Sequence, residues 1–197
     1  ILPAVVDGDA FAVAEEAPEP GVIGFVGQLR TAANRDMLEH FVRRVLPLIR
    51  STRRDAELRI VGRGADRGVL RLAREPGVTL VGPVDDVAEE LRRCWLTVCP
   101  QRFGSGVQNK VLQSLAVGTP AVVTPVVAEG LPGAEGVIVA RLDRSLAVAV
   151  VDLLADREAR ARLSAQGAAW VRRTHGPEAL SAALSDLVEQ VAPGSRG

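Results

Sequence analysis

Apolar residues recur along this chain in two alternating rhythms. Short apolar runs appear at Val22-Ile23-Gly24-Phe25-Val26, Leu58-Arg59-Ile60-Val61, Val78-Thr79-Leu80-Val81, Leu96-Thr97-Val98-Cys99, Ala121-Val122-Val123-Thr124 and Val137-Ile138-Val139. Runs of this length, most of them closed by Gly or Pro, predict buried strands. Between them lie segments with the three-to-four spacing of amphipathic helices. Asp36 to Arg53 sets Met37, Phe41, Val42, Val45, Leu48 and Ile49 on one stripe. Asp66 to Arg74, Val84 to Arg93 and Gly106 to Val117 are shorter helices. Beyond Asp143 the pattern is helical, with helices expected over 143–155, 156–174 and 177–191. Gly176-Pro177 separates the last two, Pro being suited to the first turn of a new helix.

Strands alternating with helices imply an α/β domain. The expected fold is a Rossmann-like doubly wound parallel sheet of about six strands, covered on both faces and followed by C-terminal helices. Residues 1–21 read as an extended lead-in, with Glu15, Glu16, Pro18 and Pro20 giving its end a linker composition. Residues 22–176 form the domain, and 177–197 a C-terminal helix and tail.

Composition changes this picture little. At 197 residues, 47% hydrophobic and 24% charged, the chain has ample apolar area for a core. Lys plus Arg balances Asp plus Glu, which argues against a nucleic-acid binder with a basic face. The two cysteines, Cys94 and Cys99, make neither a disulfide framework nor a zinc site and fit a cytoplasmic protein with buried thiols. His40 and His175 each stand alone on an expected helix, so no metal site is expected. No apolar run has the length of a membrane span, which leaves membrane association of a longer parent open.

Ligands of such sheets bind beyond the carboxyl ends of the strands. The strands here end at Gly27, Gly62, Gly82 and Pro100, either as plain turn residues or as points where a ligand approaches the backbone. Pro100 to Pro125 is richer. Gly104-Ser105-Gly106 directly precedes a helix, where free N–H groups and the helix dipole favour an anion. Gly106, Asn109, Lys110, Gln113 and Val117 share one helix face; Val107, Val111, Leu112 and Leu115 share the other, toward the sheet. Lys110 and Gln113 then point together at the crevice mouth, the first suited to a phosphate and the second to a ribose diol. The same pattern also fits an amphipathic helix with a solvated polar face.

Leu112-Gln113-Ser114-Leu115-Ala116-Val117-Gly118-Thr119-Pro120-Ala121-Val122 resembles the L-E-A-M-A-x-G-x-P-V-V signature of retaining, GT-B-fold glycosyltransferases of the family 4 type. Gly106-Val107-Gln108-Asn109-Lys110 resembles more closely the G-I-Q-N-K of a subgroup associated with exopolysaccharide and exosortase gene clusters, and Glu129-Gly130-Leu131 matches its E-G-L. Weaker landmarks are Phe25-Val26-Gly27 with Asn34 and Asp36, Ile60-Val61-Gly62, Val81-Gly82 with Val84 and Asp86, and Pro3 to Asp7 with Phe11 at an interdomain position. The resemblance implies the donor-binding half of a two-domain enzyme whose N-terminal acceptor domain lies outside this chain. It implies a nucleoside-diphosphate sugar of UDP or GDP type as substrate, retention at the anomeric carbon, and no cofactor or metal.

A diphosphate leaving group without a metal needs cationic side chains and backbone N–H groups. Lys110, the Gly104–Gly106 amides and the Gly27 turn are the candidates, with Gln28 where relatives often carry a basic residue. Arg30 or Arg35 is a substitute, and Arg63 and Arg102 are within reach of the crevice by position. Nucleobase and ribose are expected over Gly82-Pro83-Val84, with backbone groups of Val84 at the base edge and uracil and guanine not distinguished. The family's two glutamates, with seven residues between them, fall on Ser105 and Gln113, and its interdomain Asn and Gly on Ala4 and Val5. Gln113 keeps a hydrogen bond to ribose but gives up about 1 kcal/mol of charge assistance. The catalytic residue is therefore not assigned. A catalytically inactive interaction module is the alternative; a sugar-nucleotide epimerase fits less well, since the central loop supplies neither carboxylate nor His. The helix at 177–191 is expected to face the absent domain and to leave an apolar strip exposed.

Overall fold

A computed structural model describes Phe11, residues 18–104 and residues 106–191. The landmark at Pro3 to Asp7, most of the lead-in, Ser105 and the tail beyond 191 lie outside the described residues. Each expected strand forms: β1 Val22–Val26, β2 Glu57–Val61, β3 Val78–Gly82, β4 Leu96–Cys99, β5 Ala121–Val123 and β6 Val137–Val139. They pair in parallel in the order β3-β2-β1-β4-β5-β6. Inner strands are covered on both faces, so β4 and β5 are buried at every position and β1 at all but its last. This is why they read as continuous apolar runs. The edge strand β3 instead alternates between partly buried and exposed residues.

Side-chain caps decide where helices start. α1 (Ala32–His40) begins four residues before the expected Asp36 because Thr31 accepts from the Asn34 N–H. α3 (Arg67–Leu72) is capped by Asp66. α4 (Val87–Arg92) starts later than Val84 because the Asp86 carboxylate takes the N–H groups of Ala88 and Glu89. α5 (Asn109–Ala116) starts three residues after the expected Gly106, whose φ of +93° is not helical. Val107, expected against the sheet, thus precedes the helix and is exposed. A short helix α6 (Pro125–Glu129) has no counterpart in the sequence pattern; with Pro at its start and five residues, it shows no periodicity. α7 (Arg144–Ala155), α8 (Arg157–His175) and α9 (Pro177–Val191) keep closely to the expected bounds.

Helix α1 runs through a π-helical turn, Phe41–Val45, into α2 (Leu46–Thr52). The N–H of Leu46 bonds to the carbonyl of Phe41, five residues back. One extra residue in the turn rotates α2 relative to α1, so Leu46 and Ile49 are buried and Leu48, expected on the stripe, is 43% exposed. α2 and the π turn meet α7, α1 meets α3, and α5 meets α4 and α8, while α8 also packs on α7 and carries α9. Leu184 of α9 is exposed. Buried Ser114 ties α5 to the sheet through the Thr97 hydroxyl at 2.6 Å and by donating to the Thr119 carbonyl at 2.8 Å. Among the described residues, no helix is long and apolar enough to cross a membrane and no three His, Cys, Asp or Glu are grouped to hold a metal ion.

Candidate functional site

The carboxyl ends of β1, β2 and β3 open onto a cleft of about 630 Å³. Its wall keeps to strand order: Val84 and Asp85 beyond β3, Arg63 beyond β2, and Gly27, Gln28 and Arg30 beyond β1. Neighbouring strands stand about 4.8 Å apart, so the cleft crosses roughly 10 Å of strand ends. Hydrogen bonds lace these ends together: Gly62 N–H to Gly82 O at 2.8 Å, Gly27 N–H to Val61 O at 3.1 Å and Leu29 N–H to Arg63 O at 2.8 Å. Gly62 makes that lacing feasible. At φ +148°, a Cβ there would sit 1.8 Å from the Gly27 carbonyl oxygen, so no side chain fits.

Of the expected donor-binding residues, Gly27, Gln28, Arg30, Arg63 and Val84 line this one cleft. Lys110 lies behind its β1 end. Its ammonium donates to Asn34 Oδ1, sits 4.6 Å from the Phe25 ring centroid, and is 3.2 Å from where a Cβ of Gly27 would be. Asn34, itself buried, donates onward to the Gln28 carbonyl at 2.8 Å. Burial pulls the Lys110 ammonium below the ordinary lysine range, with neighbouring Cys99 opposing. No carboxylate forms an ion pair with Lys110 among the described residues. An ammonium has three donors, so the Asn34 bond leaves two for a ligand. Gln113 is one turn further along α5, between Lys110 and Val117; Val117 joins a cluster with Ala88 and Leu91, onto which the cleft residues Val26 and Val87 pack.

The glycine loop is placed differently from the expectation. Gly104 and Gly106 are exposed, with φ of +110° and +93°, and two residues separate Gly106 from the first residue of α5. Their amides are therefore not the first N–H groups of the helix. Gly106 rests its carbonyl against Gly130, where a Cβ would come within 2.4 Å. Two of the basic candidates are occupied elsewhere. Arg35 pairs with Asp66 at 2.7 Å, and Arg102 with Asp36, donating from Nε at 2.9 Å. The Arg102 hydrogen bonds hold the Asp36 carboxyl below its usual range. Arg30 and Arg63 have no ion pair with any described residue, so both keep their charge for a ligand.

Two residues of the site carry no clear mark in the sequence. Asn34 stands there only as a landmark; a polar amide in a helix's first turn is the available signal. Asp85 stands beside Asp86, and nothing in the sequence tells which of two adjacent aspartates caps the helix. Cys94 and Cys99 are buried free thiols, with burial pushing them up to about 12 and about 11. His40 Nε2 is 2.8 Å from Asp143 Oδ1 but not aligned for a hydrogen bond, so their contact is electrostatic at most.

Residues 20–156 match the family model described as glycosyl transferases group 1. No curated protein matches the chain. Among solved structures, TarM of S. aureus superposes with a TM-score of 0.73 at 12% identity, over 89% of this chain and 36% of that one. HepE of Anabaena, solved with UDP and glucose, gives 0.75 at 11% identity, over 95% of this chain and 55% of that one. The C-terminal domain of a group 1 glycosyl transferase, LpcC from Francisella tularensis, gives 0.63 at 17% identity, over 87% of this chain and 99% of that one. At these identities the likeness is one of fold. The chain spans about a third of TarM and about half of HepE.

Proposed function

The chain belongs to the group 1 glycosyl transferases, and from that premise we propose that it is the donor-binding half of a retaining, GT-B-type enzyme. In this reading the cleft holds a nucleoside-diphosphate sugar, and a longer parent transfers the sugar to a glycan or lipid-linked acceptor. One observation carries it: Arg30 and Arg63, both without ion-pair partners among the described residues, line a cleft backed by the half-buried Lys110. Unpaired cations converging on glycine-bearing strand ends suit a diphosphate. The nucleoside lies toward β3, over Pro83 and Val84, and the diphosphate toward Gly27, where Lys110 meets it as a point charge. As the sugar departs, Lys110, Arg30 and Arg63 take up charge developing on the leaving diphosphate. Gln113 is assigned to the ribose hydroxyls, and Ser105 to the transferred sugar.

The exopolysaccharide-associated subgroup is supported by Gly106 to Lys110 and by Glu129-Gly130-Leu131. A cytoplasmic setting is part of the same reading, since nucleotide sugars and buried reduced thiols such as Cys94 and Cys99 belong there. Calorimetric titration with UDP, GDP and ADP is the test. Submillimolar binding of one of them, lost in Lys110→Ala, supports the reading; no binding of any of the three sinks it. An inactive interaction module remains a second reading because a neutral Gln113 stands at a usually acidic position. A longer parent that fails even to hydrolyse any nucleotide sugar would favour that alternative.

A further inference from the structure

Building on the donor-site reading above, we infer that Asp85 makes this cleft selective for a guanine nucleotide. Asp85 and Asp86 are adjacent but differently employed. The Asp86 carboxylate is committed to α4, accepting from Ala88 N–H at 2.7 Å and Glu89 N–H at 3.1 Å. Asp85 lines the cleft, is exposed to it, and has no hydrogen bond or ion pair with any described residue. It is the only carboxylate among the cleft's lining residues. It stands beyond β3, the end farthest from Gly27 and Lys110, with Arg63 beyond β2 between and Arg30 beyond β1. A ligand with its diphosphate at the cationic end therefore brings its base to Asp85. Pro83, Val84 and Val87 supply apolar surface there for the face of a base.

The edge chemistry selects among bases. A carboxylate is an acceptor with two oxygens side by side. Guanine presents two adjacent donors, N1–H and the N2 amino group, which match it in a bidentate, charge-assisted pair. Uracil presents one donor, N3–H, between two carbonyl oxygens that the carboxylate repels. Adenine and cytosine each set an amino donor beside a ring-nitrogen acceptor, so one of the two carboxylate oxygens faces a lone pair. Bidentate base pairs of this kind discriminate by about 1–3 kcal/mol, on the order of 5- to 150-fold in affinity.

Titration of the 197-residue chain with GDP, UDP and ADP tests this, on wild type and on Asp85→Asn. GDP is expected to bind at least tenfold more tightly than UDP or ADP. Asp85→Asn should cut that preference about tenfold or more, because an amide offers one acceptor and one donor and suits uracil instead. Thermal melting of Asp85→Asn should match wild type, since Asp85 makes no hydrogen bond or ion pair with any described residue, whereas Asp86→Asn should melt lower. UDP or ADP binding as tightly as GDP, or a nucleotide preference unchanged by Asp85→Asn, overturns the guanine assignment and leaves the donor site standing. Binding of none of the three nucleotides overturns both.

Discussion

Lys110 is the residue on which affinity and stability pull apart. Its ammonium is half-buried and has no carboxylate partner among the described residues, a costly placement for folding. Its charge-assisted bonds to a diphosphate should contribute about 1.5–3 kcal/mol. Lys110→Met should therefore weaken the best-binding nucleotide by roughly 10- to 100-fold while leaving urea stability unchanged or raised; a parallel loss of both would show that the lysine only braces the fold. The pH dependence comes from the same burial. The folded-state pKa lies below the unfolded one of about 10.4, so the charged form opposes folding below the folded pKa. That opposition fades as pH rises between the two values. Nucleotide affinity needs the ammonium and should fall as pH rises through the folded pKa, earlier than for an ordinary lysine. Calorimetry across pH 7 to 10 should show this fall in wild type and a flatter profile in Lys110→Met. The amide at Asn34 that completes this arrangement was not legible, because only the fold brings residues 34 and 110 together.

At the scale of elements, the alternating apolar rhythm exposed every strand and nearly every helix, since burial on one or both faces writes itself into periodicity. What it missed has local causes. Caps at Thr31 and Asp86 and the positive φ of Gly106 set the true starts of α1, α4 and α5. The π turn escaped because the stripe through Leu48 looks regular on a helical projection. That difference is measurable. Leu46→Ala should cost about 2–5 kcal/mol by opening a cavity, whereas Leu48→Ala should stay within about 0.5 kcal/mol. Equal costs in denaturant titration would remove the π turn. The cleft was legible in its strand-end members, Gly27, Gln28, Arg30, Arg63 and Val84, because strand order alone puts them on one side. Arg35 and Arg102 read no differently from Arg30 and Arg63 along the chain; only the fold brings Asp66 and Asp36 to engage them.

At the scale of the whole molecule, the order β3-β2-β1-β4-β5-β6 reverses direction between β1 and β4. Lys110, beyond β4, reaches Asn34 and Gly27, beyond β1, across that reversal. The site therefore joins both halves of the sheet, and the cleft is open on its outward side. Incubated alone with GDP- and UDP-sugars, residues 1–197 should show negligible transfer and little hydrolysis; robust turnover would show that the open side needs no cover. The π turn also has a consequence at this scale. It keys two stretches of one shaft out of phase by about 100°, the rotation of one helical residue. The upper stretch carries Asn34 to Lys110 and the Gln28 carbonyl, and the lower presses Leu46 and Ile49 into the core. Deleting one residue from 41–45 would restore even winding and make the two ends disagree. The expected outcome is a chain that either melts early or folds with Asn34 turned away and nucleotide binding lost. Unchanged melting with unchanged binding would mean the shaft has no such keying.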